Sequence, residues 1–270
     1  MQDSKKRYKI VIFSAILIGV ISISFLYLFS LHLIAKAFAD YKGALQVVSI
    51  ISARIVVLSI ISYYLFNKWF NQEAQYLSDI PFLLGLFFII LIFGKAIDLI
   101  WDLTFFTFND ELVLIFLKFR FFIIIFEIAP LLYLGMEIIF FRLEDRYNKL
   151  KDKNYMNNLR FKLITIILSV ESVIILITPH VTLLGMFLPM MLIPSLLGIV
   201  YIFYLAYRLN RLSVVKPKIL TIGFFIYLIS NVFRPTMQRL LGENASYIIV
   251  VESVDLIIFV VIFLGLYKKS

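Results

Sequence analysis

Apolar runs recur so closely along the 270 residues that no interval between them is long enough to build a core of its own. The longest polar interval, Arg142 to Lys162, spans only about twenty residues. The runs lie at Ile10–Ile34, Ala44–Phe66, Ile80–Phe105, Leu112–Phe141, Phe161–Thr178, Val181–Tyr207, Ile219–Phe233 and Tyr247–Tyr267. Each approaches the ~20 residues that cross a ~30 Å hydrocarbon layer, the seventh being short. The chain therefore reads as all-α: one integral membrane domain over residues 1–270, a polytopic bundle of about eight transmembrane helices. The count becomes seven if one of the less distinct runs is re-entrant. The first run follows a basic MQDSKKRYK segment but is longer than the apolar core of a signal peptide, so a retained first helix is expected.

Charge then sets the expected orientation. With eight spans, both termini share one side with the intervals at 67–79, 142–162 and 208–218. That side carries 18 of the 26 Lys and Arg residues, which makes it cytoplasmic by the positive-inside rule. The expected location is the cell membrane. The same distribution explains the net charge of +9 without nucleic acid as a partner. The 142–162 interval is the one substantial basic cytoplasmic loop. Its ordinary role is to fix topology against anionic headgroups of the lipid bilayer, and it is also where a cytoplasmic protein partner would dock.

Only 16% of the chain is charged, yet the stretch Phe93–Pro130 combines enough apolar sequence for two spans with Lys95, Asp98, Asp102, Lys118, Arg120 and Glu127. On a helix Lys95, Asp98 and Asp102 share one side, through spacings of three, four and seven residues, and Arg120 and Glu127 repeat the seven-residue spacing on the next span. Ionisable groups at membrane depth are costly, so they pair with one another or line a polar cavity. In the last span Glu252 and Asp255 are three apart, and two acids so close call for a compensating cation such as Arg234, Arg239, Lys95 or Lys118. The positive-inside orientation places these groups in the outer half of the bundle, with Arg54 and Glu171 nearer the midplane. Pro130 follows Glu127 by three residues and frees the carbonyl of Phe126, a way of opening a polar site beside an acid.

The candidate ligand- or ion-binding residues are thus Lys95, Asp98, Asp102, Arg120, Glu127, Glu171, Glu252 and Asp255. The bland alternative is that opposite charges on facing helices only fix helix order. No catalytic residues are assigned: the chain lacks cysteine, holds two histidines near helix ends, and contains no Walker, HExxH or GxSxG motif. No metal site and no cofactor are expected. The expected function is a non-enzymatic, sensor- or receptor-like membrane protein. It would bind a ligand in a polar pocket in the outer half of the bundle and couple to a cytoplasmic partner. The alternative is a transporter or channel for an ion, proton or small solute, with the intramembrane carboxylates as its relay.

Overall fold

The computed structural model describes residues 2–104, 110–144, 146–209, 215–242 and 244–267. Phe105, Asp145, the centre of the 208–218 interval, Lys268 and Lys269 fall outside them, as do the side chains of Arg142, Pro235 and Arg239. The described chain is helical, with no strand among the described residues. Its α-helices are α1 (Gln2–Phe29), α2 (Leu31–Asp40), α3 (Ala44–Phe70), α4 (Ile80–Thr104), α5 (Asp110–Leu143), α6 (Lys153–Ile177), α7 (Val181–Arg208), α8 (Pro217–Leu241) and α9 (Ala245–Leu266). A single 3₁₀ turn, Asn148–Lys151, lies between α5 and α6. Five helices are long and apolar enough to cross a membrane: α1 over Tyr8–Phe29, α3, α4 over Ile80–Leu103, α7 and α9. Helices α5, α6 and α8 are not among these five.

Several boundaries differ from those read in the sequence, each for a local reason. The first apolar run breaks at Ser30, whose backbone leaves helical geometry and starts the short helix α2. Helix α6 begins at Lys153, inside the expected loop. There the Asp152 side chain accepts a hydrogen bond from the Asn154 N–H, at 2.9 Å, and caps an otherwise orphaned donor. Helix α8 starts with Pro217 in its first turn, where a missing N–H costs nothing, and continues to Leu241. Pro130 sits inside α5 without ending it.

Six helices close a ring through the neighbour pairs α3–α4, α4–α5, α5–α7, α7–α8, α8–α9 and α9–α3. Helices α1 and α2 pack outside the ring on α4, and α6 packs outside it on α5. The interior of the ring is divided across its length. At the end where α3 and α9 begin lies most of the buried charge: Arg54, Lys95, Asp98, Glu127, Glu252 and Asp255. The other half is filled by the main apolar core, in which Phe87, Phe88, Phe203, Phe224, Phe259 and Ile262 are almost fully buried. The Phe203 and Phe224 rings stack with centroids 5.4 Å apart, and Phe88 meets Phe259 edge-on at 5.8 Å.

Glycines let α8 and α9 approach closely in this aromatic half. A Cβ on Gly265 would lie 2.7 Å from Leu220 Cδ2 and 3.1 Å from the Leu220 backbone nitrogen, which cannot swing aside. Gly265→Ala is therefore expected to destabilise the bundle by ~1–3 kcal/mol, the usual cost of overpacking. Thermal melting of the purified protein in detergent checks this, and an unchanged midpoint would contradict the close packing.

Candidate functional site

The polar half of the ring holds one continuous network of ion pairs. Arg54 of α3 bridges both acids of α9, with Nη1 2.6 Å from Glu252 Oε2 and 2.8 Å from Asp255 Oδ2. Lys95 of α4 reaches Glu252 Oε1 and, three residues along its own helix, Asp98 Oδ2, each at 2.8 Å. Asp98 in turn takes Arg120 of α5, whose Nε lies 2.6 Å from Oδ1. Arg234 of α8 pairs with Asp255, which also accepts a hydrogen bond from Ser230 Oγ at 3.1 Å. Four bases and three acids from five helices are thereby joined in one chain, Arg120–Asp98–Lys95–Glu252–Arg54–Asp255–Arg234.

Depth makes this network costly to leave incomplete. Arg54 and Asp255 each lie ten residues into their helices, about 15 Å from the end at 1.5 Å per residue. Their side chains are 1% and 0% exposed. A charge taken this far from water is tolerated only when its partners are close and its hydrogen-bond geometry is good. Beneath Arg54 the Phe259 ring offers its face, 5.0 Å from the guanidinium carbon. Tyr227 packs on the same ring at 5.3 Å. These aromatics form the floor on which the polar half ends.

Two cavities open within this half. The first, about 150 Å³, is lined by Tyr41, Trp101, Asp102, Ile248, Val251 and Glu252. The second, about 250 Å³, reaches deeper and is lined by Arg54, Leu91, Ile123, Glu127, Leu192, Tyr227 and Asn231. Both are bordered by Lys95, Asp98, Arg120, Arg234, Gln238 and Tyr247. Through that shared wall, which carries the ion-pair network, they lie side by side as an outer and a deeper lobe, the deeper one with a largely apolar lining.

The residues singled out in the sequence fall into three groups. Lys95, Asp98, Arg120, Glu252 and Asp255 are members of the network. Asp102 and Glu127 line the two lobes, Asp102 the outer and Glu127 the deeper, and neither forms a hydrogen bond or ion pair among the described residues. Glu127 is only 7% exposed, and Arg120 on its own helix is committed to Asp98 rather than to it. Glu171 stands apart. It is half-buried on α6, outside the ring, and lines neither lobe. Arg54 is the reverse case, a lone base in an apolar run that becomes the central bridge. No periodicity announces that role, because Glu252 is 198 residues away in the chain.

A second ion pair, buried on the side of its base only, sits at the aromatic end. Arg160 of α6, 2% exposed, reaches Glu137 Oε2 of α5 at 2.9 Å, and its guanidinium lies 4.5 Å over the Tyr133 ring. It also donates to the Asn157 side chain. Together with the bond from Lys118 Nζ to the Leu176 carbonyl, 2.9 Å, it fastens α6 to α5 at both ends. Among the described residues no three metal-ligating side chains come together. No family model, curated protein or solved structure matches the chain, so its function is read from the site itself.

Proposed function

We propose that the chain is an eight-span membrane protein with both termini in the cytoplasm, and that it acts as a sensor or receptor. In this reading α2 lies at the outer boundary and the remaining eight α-helices cross the membrane. The polar half faces outward and takes a ligand into the two-lobed cavity. The supporting observation is that this cavity is walled by paired charges and stops at the Tyr227–Phe259 floor, below which the ring is filled by buried phenylalanines. A cavity closed on one side suits binding. A transport path would have to continue through that aromatic core.

Helix α5 offers a route for the output. Its 34 residues extend about 50 Å at 1.5 Å per residue. It carries Arg120 in the network, Glu127 in the deeper lobe and Glu137 in the pair with Arg160, and then leads into the basic 142–162 segment. A ligand that shifts α5 would thus move both sides of this segment together, because α6 is clamped to it. A cytoplasmic partner docking on the 142–162 segment would read that movement. The alternative reading, a transporter using the same carboxylates, requires the aromatic half to open.

The chain has no native cysteine, which allows a direct test with single introduced thiols. In intact cells an impermeant thiol reagent is expected to label Gln238→Cys, at the cavity wall. Lys153→Cys should react only after permeabilisation, and Leu196→Cys, in the aromatic core, from neither side. Labelling of positions 153 and 238 from the same side would overturn the topology. Reaction of position 196 from the cytoplasmic side would favour transport.

A further inference from the structure

We infer that the deeper lobe takes a small organic ammonium ion, held by Glu127. This rests on the outward-facing pocket proposed above and adds the chemistry of its occupant. A ligand is recognised through the valences that the protein leaves open. Every base in the wall has an acid as partner, Arg54 with Glu252 and Asp255, Lys95 with Asp98 and Glu252, Arg120 with Asp98, and Arg234 with Asp255. Arg54 Nε and Nη2 and Arg234 Nε nonetheless make no hydrogen bond among the described residues. Glu127 has no such partner. It is buried, it lines the lobe, and it has no hydrogen bond or ion pair among the described residues. Asn231, whose Nδ2 donates to the Tyr227 carbonyl at 2.8 Å, leaves its Oδ1 as a second acceptor in the same wall.

An ionised Glu127 has no base of its own among the described residues, and uncompensated charge at membrane depth is costly, so an ammonium head supplies the missing counter-charge.

Size and wall chemistry narrow the class. The lobe of about 250 Å³ has room for roughly eight water-sized groups at ~30 Å³ each. Leu91, Ile123, Leu192 and Ile193 supply an apolar wall beside Glu127. Those features suit an alkyl body of a few carbons with a primary ammonium head, and Asp102 in the outer lobe gives the same ion a first acidic contact on the way in.

The test uses the purified full chain in detergent and three probes of matched shape: 3-methylbutylamine, 3-methylbutanol and 4-methylpentanoate, with sodium chloride as the inorganic cation. Ligands that bind only the folded state raise the melting midpoint in a saturable way. The amine is expected to do so, and the alcohol, carboxylate and sodium ion are not. Glu127→Gln should weaken the amine's effect about tenfold or more, as loss of a charge-assisted hydrogen bond does. Glu127→Asp should retain most of it. The wild-type comparison stands even if a variant folds poorly. Equal or greater stabilisation by the carboxylate or by sodium, no shift with the amine, or an undiminished shift in Glu127→Gln would each overturn the inference. Thiol labelling at position 238 is independent of any ligand. A labelled, outward-facing cavity with no amine response would refute the ammonium ion and leave the pocket standing.

Discussion

Replacing Arg54 by methionine is expected to destabilise the bundle by ~3–5 kcal/mol, the usual consequence of removing one partner from a buried ion pair. The large value follows from position rather than from the number of hydrogen bonds. Arg54 is 1% exposed and serves two acids at once, so its loss leaves Glu252 and Asp255, three residues apart on α9, with one base each and no bridge between them. Neutralising one acid should recover only part of the loss, because Glu252 is also the partner of Lys95 and Asp255 that of Arg234. A double-mutant cycle between Arg54→Met and Glu252→Gln, read by denaturant or SDS unfolding, should therefore show strong coupling. Additive effects would mean that the two residues do not share a network.

Phe259→Ala carries the second large effect, ~3–5 kcal/mol for a buried phenylalanine cut back to a methyl group. Phe259 is fully buried where the two halves of the ring meet. Its loss removes the face under Arg54 and the contacts with Phe88 and Tyr227, and opens the floor of the cavity. The same variant should make a cysteine at position 196 reactive from the side that labels position 238, which a stability loss elsewhere in the core would not do. A lowered melting midpoint with position 196 still silent would place the floor elsewhere.

Glu127 is expected to behave differently from both. Without an ion pair of its own, it is spared the penalty of stranding a dedicated partner when its charge is removed. The three positions thus separate what holds the ring together from what the ring presents to a ligand.

Much of this was legible in the chain. The apolar runs fix where most helices lie, because a backbone in hydrocarbon must satisfy its own hydrogen bonds, and only helices or closed barrels do so. The spacing of Lys95 and Asp98, and of Glu252 and Asp255, follows from helical periodicity alone. That most of the buried charge would gather at one end was readable from where it falls within each run.

Tertiary structure decided the rest. Which base meets which acid depends on the order of helices around the ring, and no local spacing encodes the meeting of Arg54 with Glu252 across 198 residues. Glu171 and Glu127 are each an acid in an apolar run, and Pro130 beside Glu127 is a local signal that says nothing of which helix faces the ring interior. One lies on α6 outside the ring and the other in the deeper lobe, because only α5 packs between α4 and α7. Periodicity determines which face of a helix is polar. What that face meets is set by packing between elements distant in the chain, and there the cost of burying charge is either compensated or left open for a ligand.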